Sequence, residues 1–519
     1  MVRLPKRNQH DRCPSVGHYM ANMKALCRWF VPAIAALLIQ TALLGAGAAS
    51  KAYWEDESWT VTIAQRDFPD VLQADRQFHP PLHYLISAVW LRLSGQSEIA
   101  MRWFSIGCTA VTLSVGYVLM RRWFGYKTAI VYLLLMCVWP LMLTYAQSAR
   151  YYPWQMMLTV LAIFFVDRYA RGAQQRWLFG YVLCGAAMIT SVYASIAAII
   201  GVWVWFILRR QSRAGFGPWV IANLAVVIAF LPVSTMFSGA LRQNVPPIVV
   251  SAFLREFVSR SALLSYGLVV GETTSPLDPM AWFKACLVGV LLLIVLARMR
   301  SSRLARALIL MLSVMILVTL VISASAVNAP APQGIINRGL FITPIFVMLL
   351  AWSLASVSVQ ARITLTALIL MTNLYSAFNY FTNRAFLKTI ITVPWQQVMQ
   401  TVKASTGEAA DTVMFCNAAD YTCFFYGLRY GLSPQLPSAW STFASHPPKQ
   451  IWWLNSNSTN EEHIDSGDRQ AFAAVSAVYG DPQVTNVAPQ DPSIIAFKRR
   501  LGLGGTYDYR LNIWHFVAR

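Results

Sequence analysis

The sequence predicts an all-α polytopic membrane protein with about eleven transmembrane helices and a small C-terminal α/β domain. Of its 519 residues, 56% are hydrophobic and only 12% are charged, which is about half the charged share of soluble domains. Several apolar runs reach the ~20 residues that are needed to cross a ~30 Å hydrocarbon core. Basic residues stand in the short connectors between these runs, as Lys and Arg do on the cytoplasmic side of membrane proteins.

The first apolar run, 29–49, follows a basic segment, 1–28, that we expect in the cytoplasm. Its last residues are small and resemble a signal-peptide cleavage site, but the run is long enough to span, so we interpret it as an uncleaved first helix. The stretch 177–208 is read as two short helices, although one bent helix fits it as well. The other spans are predicted at approximately 100–120, 127–145, 153–170, 176–190, 191–208, 218–238, 281–297, 307–326, 338–357 and 361–381.

This arrangement fixes an orientation. With the N-terminus inside, an odd number of spans places the C-terminus in the periplasm and the basic connectors in the cytoplasm. The formal net charge of +20 then comes from connectors and gives no reason to expect nucleic-acid binding. We therefore predict a multi-pass protein of the bacterial inner (plasma) membrane.

Three segments are predicted on the periplasmic side of a transmembrane domain at 29–381. The first, 50–99, is too polar to cross the bilayer, and its apolar part, 81–93, is short enough for an interfacial helix. The second, 239–280, carries no recognisable motif. The third, 382–519, alternates strand-like and helix-like stretches and is predicted as a soluble α/β domain. Its Cys416 and Cys423 are a possible disulfide if the domain is periplasmic, and the sequence leaves this open.

Carboxylates are scarce in the predicted membrane region, and their placement is informative. Between Trp29 and Phe381 there are eleven, seven of them in the segment 50–99. Glu55, Asp56 and Glu57 follow directly on the first span. Adjacent acids near a low dielectric resist ionisation, and a carboxylate in such a place can act as a general base toward a hydroxyl or amine. A solvated acidic cap at the membrane surface is the alternative.

Basic residues on the predicted outer side break the positive-inside pattern and need partners. Arginine suits phosphate because its planar guanidinium donates two parallel hydrogen bonds. Acids and arginines together at the outer leaflet fit a lipid-linked phosphate whose tail lies in the bilayer. Taken singly, each arginine is also explained by a structural ion pair. The residues concerned are His79, Arg102, Arg150 beside Tyr151, and Arg338.

The order of these motifs resembles the type C glycosyltransferases, in particular the bacterial protein O-mannosyltransferase and aminoarabinose transferase superfamily. The resemblance rests on the acids at 55–57, the His-Pro-Pro-Leu-His-Tyr-Leu run at 79–85 and the Tyr-Ala-Gln-Ser-Ala-Arg-Tyr run at 145–151. A further Asn-Arg-Gly-Leu run at 337–340, followed by Pro344, is similar to the opening of a late span in that family.

The resemblance implies an inverting glycosyltransferase that takes a sugar from a polyprenyl-phosphate donor. It implies Asp56 as the catalytic base and Glu57 as a supporting acid. His79, Arg102, Arg150, Tyr151 and Arg338 would orient the phosphate or the sugar. The family's acceptors range from proteins to lipid A and glycan intermediates. Membrane lipids are the other expected partners, and no cofactor is implied.

The chain departs from its relatives at Ser148, where many of them carry Glu. We therefore expect no obligatory metal. Other functions remain as alternatives: an O-antigen-type ligase or polymerase, a transporter of lipid-linked sugars, or a scaffold. Ligases would place their key residues in a large late loop, and transporters near the bilayer midplane, often in repeated halves. Here the residues concerned stand early in the chain and at one face.

Overall fold

The structure, a computed structural model, is mostly helical with one small sheet. It describes residues 16–73, 79–172, 174–210, 215–244, 250–325, 334–384, 387, 389–406, 411–417, 420–458, 468–487, 492–500 and 510–518. The first part of the predicted cytoplasmic segment 1–28 therefore lies outside the described residues. Helices up to residue 381 are α1 (Val16–Ser50), α2 (Glu55–Ala64), α3 (Phe68–Gln73), α4 (Leu82–Ser94), α5 (Glu98–Phe124), α6 (Tyr126–Cys137), α7 (Pro140–Tyr145), α8 (Tyr151–Gly172), α9 (Gln175–Ile189), α10 (Ile196–Arg209), α11 (Phe216–Asn244), α12 (Val250–Val269), α13 (Pro279–Arg298), α14 (Arg303–Ser325), α15 (Gly334–Arg338), α16 (Thr343–Ala355) and α17 (Val359–Phe381).

Within the described part of the chain, six helical segments are long and apolar enough to cross a membrane. Shorter apolar helices accompany them at Tyr126–Cys137, Tyr193–Arg209 and Leu340–Ala355. These lengths support several spans, whereas the count of eleven stays a prediction. The six segments are Val31–Ser50, Glu98–Phe124, Phe216–Ser234, Pro279–Ser301, Arg303–Ser325 and Val359–Phe381.

The predicted span 127–145 is interrupted rather than continuous. Trp139 adopts extended backbone, with φ −65° and ψ 128°, between α6 and α7. Proline disfavours the helical conformation of the residue before it, and Pro140 is itself well placed in the first turn of α7. The stretch 177–208 forms two helices, α9 and α10, and not one bent helix.

The predicted loop 239–280 is largely helical, because it contains the end of α11 and all of α12. In the structure Glu256 and Arg260 lie one helical turn apart and form an ion pair of 3.1 Å. Among the described residues of this segment, the irregular part is the turn between α12 and α13 that contains Glu272.

The C-terminal region forms a five-stranded mixed sheet in the order β2-β1-β3-β5-β4. β1 pairs parallel with β2 and β3, while β5 pairs antiparallel with β3 and β4. Its central strands are buried by side chains such as Trp453 and Phe415. The elements are α18 (Trp395–Thr406), β1 (Thr412–Cys416), α19 (Tyr421–Arg429), β2 (Pro434–Gln435), α20 (Trp440–Phe443), β3 (Gln450–Ser458), α21 (Arg469–Tyr479), β4 (Gln483–Val487), α22 (Pro492–Arg500) and β5 (Arg510–Val517).

The C-terminal region packs against the segment 50–99. One apolar cluster contains Tyr53 and Val61 from the first segment together with Trp395 and Tyr426 from the second. The Tyr426 hydroxyl accepts a hydrogen bond from Tyr53 N at 2.7 Å and donates one to Glu98 at 2.8 Å. The helices α2 and α4, which begin the candidate site, are therefore held between the helical bundle and the sheet.

Candidate active site

The site begins where the chain turns from α1 into α2. Trp54 is extended, and its backbone N–H donates to the Glu57 side chain at 3.3 Å, which caps the new helix. Three acids in the first turn also favour the positive end of the helix dipole. Successive residues on a helix point about 100° apart, so Asp56 and Glu57 face different surroundings.

Glu57 faces the interior and pairs with Arg102 of α5. The Arg102 Nε donates to Glu57 at 2.9 Å and the Nη2 at 2.5 Å, and the two side chains are 4% and 1% exposed. The remaining N–H groups of Arg102 donate to the carbonyls of Ala48, Lys51 and Ala52. Arg102 thus makes five hydrogen bonds within the protein and has no spare donor for a phosphate.

Glu57 also fixes the turn that precedes α8. Its carboxylate accepts a hydrogen bond from the backbone N–H of Ala149 at 2.7 Å. The Ser148 hydroxyl accepts from the Trp54 indole at 3.3 Å, and the Ser148 carbonyl accepts from Ser105. These contacts place Arg150 beside α2. Ser148 therefore links this turn to Trp54, the residue that precedes α2.

Asp56 faces an open cluster of polar side chains. The Tyr152 hydroxyl donates to its Oδ2 at 2.8 Å, and the Asn337 amide donates to that hydroxyl at 3.0 Å. The Nη2 of Arg150 lies 3.6 Å from Oδ1. The Asp56 side chain is 34% exposed, unlike its neighbour Glu57. A carboxylate that is both oriented and accessible can accept a proton from an incoming group.

Arg150 is held rigidly beneath this carboxylate. Its Nη1 donates to the hydroxyls of Thr60 at 3.0 Å and Tyr84 at 3.1 Å, so α2 and α4 both position it. Among the described residues, its Nε is buried and donates no hydrogen bond. The guanidinium is therefore oriented but keeps a donor for a ligand.

The remaining predicted residues complete the cluster. The ring of His79 lies 5.0 Å from that of Tyr151, and Tyr151 hydrogen-bonds the Arg338 side chain. Burial, together with the charges of Arg150 and Arg338, holds the pKa of His79 well below its usual range. The histidine is thus neutral at physiological pH, and the two arginines supply the positive charge.

The structure brings five predicted residues together and places two apart. Asp56, His79, Arg150, Tyr151 and Arg338 share one cluster. Glu57 and Arg102 form a buried pair behind it. Cys416 and Cys423 form a disulfide that joins the end of β1 to α19, with 5.9 Å between their Cα atoms.

Comparison with known proteins gives one family match and several structural matches. Residues 78–236 match the family model of dolichyl-phosphate-mannose-protein mannosyltransferases. The chain is similar to ArnT from Cupriavidus metallidurans in the apo state, at 13% identity and a TM-score of 0.57, over 94% of this chain and 98% of that one. ArnT bound to undecaprenyl phosphate matches over the same shares at 13% identity and a TM-score of 0.56. A search of curated proteins found no significant sequence match.

The chain has the type C glycosyltransferase fold. The resemblance found in the sequence is thereby confirmed, and a multi-pass membrane protein with it. The family match contains His79, Arg102, Arg150 and Tyr151, while Asp56 and Arg338 lie outside it.

Three residues of the candidate site were missed by the sequence analysis. Tyr152 and Asn337 adjoin predicted residues, and their contacts with Asp56 depend on tertiary packing. Glu272 is fully buried in the turn between α12 and α13, where the Tyr145 hydroxyl donates to it. The sequence alone could have pointed to Glu272, because it is one of only four carboxylates between Trp29 and Phe381 that lie outside the segment 50–99.

The structure also bears on a metal site. Among the described residues, no group of three or more His, Cys, Asp or Glu side chains is placed to hold a metal ion. Ser148, at the position where relatives carry Glu, is engaged with Trp54. The expectation that no metal is required stays a prediction.

Proposed function

We propose that this protein is an inverting glycosyltransferase of the bacterial inner membrane. It moves a sugar from a polyprenyl-phosphate donor to a periplasmic acceptor, which is a protein, lipid A or a glycan. The observation that carries the proposal is Asp56, an accessible carboxylate oriented by Tyr152 within 3.6 Å of the Arg150 guanidinium. The crystal structure of the similar ArnT contains undecaprenyl phosphate, which agrees with such a donor.

The donor phosphate is assigned to the arginines of the cluster. Arg150 and Arg338 both interact electrostatically with His79, so two guanidinium groups converge on one small region. Arginine forms strong charge-assisted hydrogen bonds with phosphate oxygens. Tyr151, between His79 and Arg338, offers a hydroxyl and a ring face to the sugar or phosphate.

The reaction is a single displacement at the anomeric carbon. The acceptor oxygen forms the new glycosidic bond as the bond from carbon to phosphate oxygen breaks, and the acceptor proton passes to Asp56. Polyprenyl phosphate departs as an anion that the arginines stabilise, so no strong general acid is needed. Glycoside hydrolysis, by contrast, uses two carboxylates.

Glu57 and Arg102 act as positioning residues in this proposal. They touch neither the open cluster nor its solvent-accessible side, yet Glu57 fixes both the start of α2 and Ala149. This arrangement sets the distance between Asp56 and Arg150. Arg102 was predicted to orient the sugar donor, and here it is given a positioning role instead. All of its N–H groups already form hydrogen bonds within the protein.

The test uses purified protein in detergent, labelled polyprenyl-phosphate sugars and a membrane extract as the source of acceptors. Asp56→Asn keeps the shape of the side chain and removes the base, so we expect transfer to fall at least about 100-fold. The matched control is Asp70→Asn, which changes an exposed carboxylate in the same segment. Thermal unfolding of each variant establishes that the fold is retained.

The outcomes separate the alternatives. Loss of transfer in Asp56→Asn alone supports both the class of enzyme and the base, and the labelled product identifies the acceptor. Normal turnover in Asp56→Asn contradicts the assignment of the base. A wild-type protein that binds the donors without transferring any sugar favours transport of the same lipids.

A further inference from the structure

A second charged cluster lies at the far end of the helices that carry the active site. Tyr151 begins α8 at the catalytic cluster, while Asp167, Arg168 and Arg171 stand near its other end. The 22 residues of α8 span about 33 Å at about 1.5 Å per residue, which is close to the thickness of a hydrocarbon core. The two clusters therefore occupy opposite faces of the membrane domain.

Four arginines lie near a single carboxylate in this cluster, and two of them contact it. Asp167 is fully buried, with the Arg171 Nη2 at 2.9 Å and the Arg209 Nε at 3.7 Å. Arg122, from the end of α5, interacts electrostatically with Asp167, Arg168 and Arg171. One carboxylate among four arginines leaves the cluster with a net positive charge, which favours the binding of an anion.

Aromatic rings form the walls of the cluster. The Arg168 guanidinium lies 4.9 Å from the ring centre of Trp177 and 5.8 Å from that of Phe164. Arg209 lies 5.6 Å from the ring centre of Trp205. These stacked arginines are held in place before any ligand binds, which lowers the entropy lost on binding.

Not every arginine donor of the cluster is used within the protein. Among the described residues, the Nε atoms of Arg168 and Arg171 are buried and donate no hydrogen bond. Apolar side chains beside the cluster are exposed, namely Phe179 at 67% and Leu208 at 45%. A ligand at this place would meet guanidinium groups at one end and a lipid-facing apolar surface at the other.

We infer that the cluster of Arg122, Arg168, Arg171 and Arg209 binds the phosphate headgroup of an anionic phospholipid. The guanidinium groups hold the phosphate, and the acyl chains lie along the exposed apolar surface of α9 and α10. A free phosphate ion would match the charge but would leave that surface without a partner. Basic pockets between transmembrane helices are a recurrent way of binding anionic headgroups. This site is separate from the donor site and does not depend on the proposed reaction.

The experiment titrates the full, delipidated protein in detergent with phosphatidylglycerol, phosphatidylcholine or inorganic phosphate and follows the thermal unfolding temperature. Phosphatidylglycerol is expected to raise it saturably, whereas the other two leave it nearly unchanged. In Arg122→Gln/Arg168→Gln we expect the half-saturating concentration of phosphatidylglycerol to rise at least about tenfold. This pair leaves Arg171 and Arg209 in contact with Asp167, so the buried carboxylate stays paired.

The matched control is Arg300→Gln/Arg303→Gln, which removes two exposed arginines from another connector. It should leave the half-saturating concentration unchanged. Equal stabilisation of the wild type by phosphatidylglycerol and phosphatidylcholine overturns the proposal even if the cluster variant fails to fold. An unchanged half-saturating concentration in the folded cluster variant overturns it as well. Stabilisation by inorganic phosphate to the same extent identifies an anion site without lipid specificity and also overturns it.

Discussion

Asp56 and Glu57 are consecutive acids at the start of α2, and their side chains lie in different environments. Asp56 is one-third exposed and oriented by the Tyr152 hydroxyl, while Glu57 is buried against Arg102. The difference follows from helical geometry, because neighbouring residues point about 100° apart. At the scale of the residue, one acid is oriented and accessible, and the other holds the backbone in place.

The buried pair can be tested by its effect on stability. Arg102→Met leaves Glu57 without its main partner in a buried place, and we expect unfolding to become easier by about 3–5 kcal/mol. The double variant Arg102→Met/Glu57→Gln removes both charges, so part of that loss should be recovered. Thermal or denaturant unfolding in detergent measures both. Equal destabilisation in the single and double variants would contradict a buried charge pair.

His83 gives a prediction for the dependence of stability on pH. Burial and the charge of Arg150 lower the pKa of His83 to about 3 in the folded protein, against about 6.5 when unfolded. Between these values the unfolded chain binds more protons, so stability falls as the pH falls below about 6.5. At pH 5 this contributes about 2 kcal/mol of destabilisation relative to pH 7.

The corresponding measurement is the unfolding temperature at pH 7 and pH 5. His83→Gln removes the titrating ring and should reduce the loss between the two pH values. His446→Gln, which changes an exposed histidine of the C-terminal region, should show the wild-type loss. An unchanged pH dependence in His83→Gln would show that other groups, such as His79, account for it.

At the scale of the element, α2 depends on α19 of the C-terminal region. The hydroxyls of Ser58 in α2 and Thr422 in α19 lie 2.9 Å apart, and Trp59 and Tyr421 pack with ring centres 4.4 Å apart. The disulfide of Cys423 joins α19 to β1, the strand that pairs with β2 and β3. The covalent bond thus supports, through α19, the helix that carries Asp56.

Removal of this disulfide should affect both stability and turnover. Cys416→Ser/Cys423→Ser opens a short loop, and we expect a loss of about 2 kcal/mol in the free energy of unfolding. Because α19 contacts α2, turnover should also fall, by a smaller factor than in Asp56→Asn. Cys184→Ser, a change at a buried free cysteine, is the control. Wild-type stability in the double variant would show that the bond contributes little.

At the scale of the whole molecule, the two ends of the bundle differ in charge. The end with Asp56 combines acids and arginines and is covered by the C-terminal region. The other end carries the arginine connectors. This asymmetry agrees with the orientation predicted by the positive-inside rule, in which residues 382–519 are periplasmic.

Cysteine labelling tests this orientation. In a background where Cys13, Cys27 and Cys286 are changed to Ser, single cysteines are introduced as Ser445→Cys and Gln175→Cys, both at exposed positions. A membrane-impermeant maleimide should label Ser445→Cys in spheroplasts, and Gln175→Cys only after the membrane is disrupted. The reverse pattern would invert the topology and place the candidate site in the cytoplasm.

Sequence alone was sufficient for the membrane class and the fold, and it named five residues that the structure brings into the open cluster, but neither Tyr152 nor Asn337. The length of the apolar runs, the charge of the connectors and the scarcity of acids all follow directly from the presence of the bilayer, because each polar group inside it needs a partner. The sequence could not separate Arg102 from Arg150, because both are arginines near the outer face. Only the packed structure shows that one uses its donors on Glu57 and backbone carbonyls and the other keeps a donor free.

The tertiary structure alone decided which distant segments meet. The helix α12 lies inside a predicted loop. Its Glu256 and Arg260, one helical turn apart, form an ion pair. Glu272, Asn337 and Tyr426 reach the site or its support across separations of more than a hundred residues. A linear sequence encodes periodicity and composition over a few helical turns. Periodicity and composition do not reveal contacts between remote segments, which depend on how the helices and the sheet pack together.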